Sequence, residues 1–347
     1  MANRTMKAVV VREQGPPSVL KNEEVPVPPP ELGEVMVKVR GCALNHLDIW
    51  CRSTLPSVKL PLILGCDVAG EVVEAGADVA HVKVGDKVLV SPGLSCNTCK
   101  ECLSGRENLC RYYHILGAAR NGGYAEYVNV PAINCFPVPI GLNFHPAASI
   151  PLVFMTAWHM LVARAQVKTN ETVLVIAGGS GVGSAAIQIA KLFQCHVIAT
   201  VGNDEKSKLA KFLGADDVIN HSKQDIAEEV KKLTEKRGVD VVIEHVGPAV
   251  FEQCLQSMAT GGRLVTCGGT TGAKVEIDIP RLFMKHQTIY GSVMGTKREL
   301  ADMLPLFEKG HLKPVVDNVF PLHEAREAHE MMEARKQFGK IVVDPTA

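Results

Sequence analysis

The sequence carries no net charge: 37 Lys and Arg stand against 37 Asp and Glu in 347 residues. Without a basic or acidic surplus there is no electrostatic footprint for nucleic acid or for an acidic membrane surface. Long apolar runs are missing as well. The most membrane-like segment, 147–163, contains Pro151, Thr156 and His159 and is short for a span. It reads instead as the entry into a buried helix. Residues 1–7 lack the apolar core of a secretion signal. Eleven cysteines in a chain without that signal read as thiols or metal ligands in a reducing, cytoplasmic setting, not as disulfides. There is no internal repeat and no low-complexity tract. A content of 46% hydrophobic and 21% charged residues fits an ordinary globular protein, long enough for two domains.

What is present is organised around residues 172–191. Residues 173–176 are a β-branched and leucine run of strand length. The turn Gly178, Gly179, Ser180, Gly181, Val182, Gly183 cannot continue that strand. From 184 to 191, Ala185, Ala186, Ile189 and Ala190 fall at helical spacing. A helix opening on such a turn presents bare N–H groups and a positive dipole end, which is a pyrophosphate site. The dinucleotide fingerprint asks for G-x-G-x-x-G, and its middle glycine is Ser180 here. No Gly-Lys-Ser/Thr follows, which excludes the phosphate loop of nucleotide triphosphatases. Context supports the dinucleotide. A second strand at 196–200 follows, then alternating helices (204–213, 225–236, 249–258) and strands (217–219, 239–244, 263–267), with a last strand at 288–292. That alternation implies a parallel, doubly wound sheet. A helix at 154–167 precedes it, after a linker at 144–151.

The first third is β-rich, with strands at 7–12, 34–43, 67–74, 86–90, 124–130 and 133–138 and an irregular proline-rich segment at 23–33. In 34–43 the valines 35, 37 and 39 alternate with Met36, Lys38 and Arg40, the period of a half-buried strand. Short strands divided by Gly and Pro point to a small barrel-like domain. Inside it lies the most specific motif of the chain: Cys96, Cys99, Cys102 and, eight residues on, Cys110. Four thiolates so spaced can close a tetrahedral shell around zinc and leave no open position, so the metal would hold a loop. An iron–sulfur cluster is the competing use of the same ligands. The tail reads as helix 298–309, strand 315–320, helix 323–333 and strand 340–343.

The β-rich domain, the four-cysteine lobe, the turn 178–183 and the ending 338–343 together resemble the medium-chain dehydrogenase/reductase superfamily. The resemblance covers nearly the whole chain. It implies an α/β fold with a GroES-like β-rich catalytic domain at 1–152, its zinc lobe at about 93–113. A Rossmann domain follows at 153–294 and a return to the catalytic domain at 295–347, with the active site in the cleft. Two branches compete, the zinc-dependent alcohol dehydrogenases and the quinone or enoyl reductases. The alcohol dehydrogenases carry Cys-His-x-Asp where this chain has Asn45, His46, Leu47 and Asp48. They carry Gly-His-Glu where it has Gly65, Cys66 and Asp67. Their third zinc-ligating Cys is Leu152 here, ahead of Thr156 and Ala157. Asn45 and Asp48 instead resemble the Asn-x-x-Asp of quinone oxidoreductases, whose Asn lies beside the nicotinamide. A substitute metal set of Cys42, His46, Cys66 and Asp67 is weighed against small buried cysteines and a histidine turned to phosphate or solvent, and the latter is favoured.

The resemblance therefore implies a metal-free reductase that polarises a conjugated acceptor, such as an enone, quinone or enoyl thioester, through hydrogen bonds. Asn45, Asp48 and Thr156 are the expected catalytic residues. Tyr113 and Tyr124 are polar aromatics without an assigned role. The alternatives are an alcohol dehydrogenase with unusual zinc ligands and a non-catalytic, crystallin-like NADPH-binding protein. NADPH is the expected cofactor. An NAD enzyme carries an acid at the end of its second strand, and that position is Val201, followed by Gly202. Asp204 reads as a first-turn or capping residue, Lys206 as a phosphate partner, and His221, Ser222 and Lys223 as the place where the chain closes over the adenosine phosphate. Val246, Gly268 and Lys340 complete the expected cofactor contacts. The expected partners are a small-molecule substrate and further copies of the chain, as a homodimer or homotetramer with strand 288–292 at a sheet edge.

Overall fold

The computed structural model of the protein describes residues 4–347. The chain forms two compact units, Met1–Leu152 with Thr296–Ala347, and Val153–Gly295. Among the described residues no helix is long and apolar enough to cross a membrane.

The first unit is β-rich. Its large sheet runs Cys135–Pro137, Lys87–Val90, Asp67–Ala75, Glu34–Ala43, Lys340–Asp344, Val316–Pro321, with Tyr127–Pro131 also paired to Glu34–Ala43. Glu34–Ala43 is thus a central strand. Met36, expected on its outer face, is as buried as Val35, Val37 and Val39, because the sheet is covered on both sides there. The strand Lys340–Asp344 lies antiparallel to it, Val342 opposite Ala43 and Val343 opposite Cys42. A strand late in the chain therefore sits against the segment that leads into Asn45.

A second sheet pairs Thr5–Val11 with Leu20–Pro26 and Leu62–Ile63. The segment 23–33 was expected to be irregular throughout; its first four residues are strand, in register from Thr5 with Pro26 to Val11 with Leu20. Most side chains of Leu20–Pro26 face solvent, so the strand has no apolar alternation to betray it, and Pro26 sits at its end on an edge that needs no N–H donor. The expected linker at 144–151 contains the short helix Phe144–Ala148. The helix expected at 154–167 begins earlier, at Pro151, whose missing N–H costs nothing in a first turn. It passes into a π-helical segment, His159–Arg164, before Gln166 turns left-handed.

The second unit is a six-stranded, wholly parallel sheet ordered Asp217–Asn220, His196–Val201, Thr172–Val175, Val239–Glu244, Met258–Thr266, Thr288–Gly291. Helices Gly181–Leu192, Asp204–Phe212, Ile226–Leu233, Pro248–Ser257 and Ile279–Met284 connect the strands. From Thr172–Val175 the chain steps outward twice, then crosses back to Val239–Glu244 on the other side of its starting strand. The strand order reverses between those two neighbours. In open α/β sheets the carboxyl ends at such a reversal are where ligands bind.

Candidate functional site

Asn45 follows the strand Glu34–Ala43 in extended backbone and opens the helix His46–Ser53. Asp48 stands three residues on, so its carboxylate reaches back to accept the Asn45 N–H at 2.7 Å. Its other oxygen accepts the Gly65 N–H at 3.1 Å. Gly65 has φ +92°, and a Cβ there would come within 2.6 Å of the Cys42 sulfur, so only glycine fits. Asp48 is buried, and the cost of desolvating its charge holds the carboxyl up at about 6.

Around Asn45 the structure assembles a buried ion pair. Asp67, with 0% of its surface exposed, accepts the Leu152 N–H on Oδ1 at 2.8 Å. Its Oδ2 accepts from Asn45 Nδ2 at 2.9 Å and from Lys340 Nζ at 3.1 Å. The Lys340 ammonium also donates to Asn45 Oδ1 and to the Leu44 carbonyl, each at 2.6 Å. Two residues expected to have other partners meet here. Lys340 was expected on the cofactor, yet its three N–H bonds are all spent inside the first unit. Asn45 was expected to polarise an acceptor, yet its carbonyl oxygen takes Lys340 and its amide nitrogen faces Asp67 and, at 3.3 Å, both Cys66 Sγ and the Ala43 carbonyl. Asn45 here clamps the ion pair.

The four side chains weighed as a second metal set are placed as follows. Cys42 and Cys66 are fully buried, and burial pushes both thiols well above their ordinary range. Both oxygens of Asp67 already accept hydrogen bonds. His46 packs edge-on against Trp50 with ring centroids 5.1 Å apart, and burial lowers its pKa. Of the two tyrosines, Tyr124 is buried with its hydroxyl 3.1 Å from His329 Nε2. The Tyr113 hydroxyl is buried without a hydrogen-bond partner among the described residues, its ring edge against Gly93. Thr156 is buried on the helix Pro151–Trp158, its hydroxyl 4.0 Å from the Met294 sulfur.

Cys96, Cys99, Cys102 and Cys110 converge, all four sulfurs within 4.8 Å of one another. Neighbouring sulfurs lie 3.5–3.8 Å apart. A tetrahedron with Zn–S near 2.3 Å requires separations of about 3.8 Å, so the set fits that ion. Backbone N–H groups of Thr98 and Cys99 draw the Cys96 thiol down, while desolvation and the neighbouring thiols push Cys99 up. Among the described residues this is the one group of three or more His, Cys, Asp or Glu side chains with converging ligand atoms.

In the second unit the glycine turn follows Thr172–Val175, with Gly179 between Gly178 and Ser180. Gly181 and Val182 begin the helix Gly181–Leu192. A Cβ on Gly183 would fall 2.2 Å from the Ala177 carbonyl, which is the close approach of helix and strand that the fingerprint's last glycine permits. Ser180 caps the helix by accepting the Gly183 N–H at 2.9 Å, and its hydroxyl lies 3.0 Å from His245 Nε2. A serine in the middle position thus links the turn to the strand beyond the reversal. The turn keeps the fit for a pyrophosphate: its helix N-terminus faces the carboxyl edge of the sheet.

At the second strand's end Val201 is 2% exposed and points into the core. A Cβ on Gly202 would meet only the His221 ring, at 3.6 Å, so those two predicted residues do come together. Asn203 caps the next helix by accepting the Lys206 N–H at 2.8 Å; Asp204, expected as a first-turn or capping residue, stands in the first turn and does not cap it. Asp204 instead accepts from Lys223 Nζ and Asn220 Nδ2, each at 2.6 Å, and Lys223 with its hydrogen bond lowers the carboxyl's pKa. Val246 and Gly268 lie on the two loops past Val239–Glu244 and Met258–Thr266. Both loops are held by Glu244, which sequence reading passed over. Its signal was an acid closing a strand whose last three residues before it, Val241, Val242 and Ile243, are apolar.

Among known proteins, residues 31–140 match the family described as alcohol dehydrogenase GroES-like domain, and residues 181–309 the family described as zinc-binding dehydrogenase. The chain is 33% identical over 344 residues to an acryloyl-coenzyme A reductase of Sulfurisphaera tokodaii, spanning 98% of this chain and 100% of that one. It is 32% identical over 350 residues to a quinone oxidoreductase of Homo sapiens, spanning 98% of each. A crystal structure of an NAD-dependent alcohol dehydrogenase superposes with a TM-score of 0.94 at 45% identity, over 98% of this chain and 99% of that one.

Proposed function

This chain belongs to the medium-chain dehydrogenase/reductase superfamily and is an NAD(P)-dependent oxidoreductase, and we propose that it reduces a conjugated acceptor with NADPH and without a catalytic zinc ion. The observation that carries the reading is the centre at Asn45. The positions that would ligate zinc in an alcohol dehydrogenase are Asn45, Cys66 and Leu152. Leucine has no ligand atom, and Leu152 offers only its N–H, to Asp67. Asn45 is held at both ends, and Lys340 already supplies the cation that compensates Asp67. The names of two relatives, an acryloyl-coenzyme A reductase and a quinone oxidoreductase, support a conjugated substrate, in which charge develops on an oxygen away from the attacked carbon.

The bound nicotinamide supplies the hydride. The chain's own work is to seat and shield it. The helix end at Gly181 and the cradle at Gly183 receive the pyrophosphate. Thr156 offers a hydroxyl on the helix Pro151–Trp158. The preference for NADPH rests on Val201 in place of an acid, on His221 across Gly202, and on Lys223, which neutralises the nearest carboxylate. One structural zinc on Cys96, Cys99, Cys102 and Cys110 holds the lobe and takes no part in the reaction. The protein works in the cytoplasm on a small molecule.

The test is a reduction screen of purified protein with NADPH over aldehydes, enones, quinones and enoyl-CoA esters, with zinc counted per chain. One zinc, and enone reduction that survives removal of weakly held metal, are expected. Two zincs per chain, with aldehyde reduction lost on chelation and restored by zinc, would establish instead an alcohol dehydrogenase with atypical ligands. That is the reading favoured by the 45% identical neighbour. Turnover of any acceptor removes the crystallin-like alternative.

A further inference from the structure

Glu244 ends the strand Val239–Glu244 with a carboxylate that is 0% exposed. One oxygen accepts the N–H groups of Val246 and Gly247, the latter at 2.5 Å; the other accepts the Thr266 hydroxyl at 2.8 Å. The Thr266 hydroxyl lies also 3.2 Å from the Gly268 carbonyl. The carboxylate thus ties together the two loops past Val239–Glu244 and Met258–Thr266. None of the ion pairs among the described residues includes it. Hydrogen bonds satisfy its oxygens, but its negative charge has no counter-ion.

Its place in the sheet gives that charge a use. The strand order reverses between Thr172–Val175 and Val239–Glu244, and a dinucleotide lies across the carboxyl ends at that point. The pyrophosphate sits at the helix after the first strand, and the ribose of the adenosine half meets the end of the second strand. The other half of the cofactor then falls on the side of Val239–Glu244. A nicotinamide ring is neutral when reduced and positive when oxidised, and a buried carboxylate at that end of the sheet would distinguish the two forms. We propose that Glu244 sets the redox poise of the bound cofactor, favouring the oxidised, cationic ring and so making the reduced form a stronger hydride donor. The inference rests on the nicotinamide reading of this sheet. On giving up hydride with its electron pair, the reduced ring would gain a positive charge that the Glu244 carboxylate would stabilise. The acceptor would take the hydride at carbon and, from water, a proton at the atom that becomes anionic.

The measurement is a pair of equilibrium dissociation constants, for NADP+ and for NADPH, on native protein and on Glu244→Gln. Glutamine keeps an acceptor for the Val246 and Gly247 N–H groups and turns its amide toward the Thr266 hydroxyl, so the loops are kept while the charge goes. The variant is expected to bind NADP+ about tenfold more weakly and NADPH within about threefold of native, a shift of about 30 mV in the bound two-electron couple. Equal weakening of both forms would make Glu244 a loop-positioning residue only and overturn the proposal, as would no change in either. A second measurement needs no variant. Native protein is expected to bind NADP+ at least about fivefold more tightly than its neutral benzamide isostere, and equal affinities would overturn the proposal. If native protein binds neither NADP+ nor NADPH, the cofactor reading itself fails and takes this inference with it.

Discussion

At the scale of single residues, Asp48 has the most direct thermodynamic signature. Desolvation raises its carboxyl to about 6, against 3.8 as the ordinary value. Below about pH 4 the group is protonated whether the chain is folded or not. Between about pH 4 and 6 the unfolded chain releases the proton first, so folding stability falls as pH rises, by about 3 kcal/mol in all. Asp48→Asn has no proton to lose. Urea unfolding from pH 4 to 7 is expected to show native protein losing that amount relative to the variant; parallel profiles would refute the assignment. The adenosine pocket carries a second prediction. If Lys206 makes one charge-assisted bond to a 2′-phosphate, Lys206→Ala should cut kcat/KM for NADPH by about one to two powers of ten and spare NADH. Lys223→Ala should act in the same direction, because it frees the Asp204 carboxylate to repel the phosphate. Equal use of both cofactors by native protein would remove this reading of the pocket.

At the scale of elements, the cysteine lobe is a short helix, Lys100–Leu103, and a 3-10 turn, Glu107–Leu109, closed by the two-stranded pair of Gly93–Leu94 with His114–Ile115. So little regular structure cannot hold itself, and four thiolates around one ion supply what packing does not. Cys99→Ser is expected to lose the zinc and lower Tm by at least about 5 °C while still binding NADPH; full zinc retention would count against the site. The lobe was legible because its ligands are adjacent in sequence. The parallel strands were legible for a related reason. Buried on both faces, they read as continuous apolar runs, and Val239–Glu244 fell where expected. Leu20–Pro26 was missed because its side chains are mostly exposed, and His159–Arg164 because a π-turn leaves no mark in apolar spacing. The Lys340 to Asp67 pair was beyond reach, since no local pattern relates residues 273 apart, and without it the inward turn of Asn45 could not be foreseen.

At the scale of the whole molecule, the sheet of the second unit ends in Thr288–Gly291, a strand with a partner on one side only. The preceding helix and the following loop leave Phe283, Met284 and Val293 in solvent, Met284 at 72% exposure. An open strand edge beside exposed apolar side chains is a surface for a second copy of the chain. Light scattering is expected to give a dimer or tetramer, and Met284→Glu with Phe283→Lys to shift it toward monomer; a monomer mass independent of concentration would refute this. The same scale exposes a consequence of where Lys340 lies. The second unit is one unbroken segment, Val153–Gly295, whereas the first needs Lys340 to neutralise a carboxylate at position 67. On a ribosome adding about 5–20 residues per second, those partners emerge roughly 14–55 s apart. The inserted unit can therefore finish folding while the unit that began first still waits, its large sheet lacking the last two strands at one end and its Asp67 a cation. The nascent chain needs protection over that interval, and the half exposed to misfolding is the one synthesised earliest.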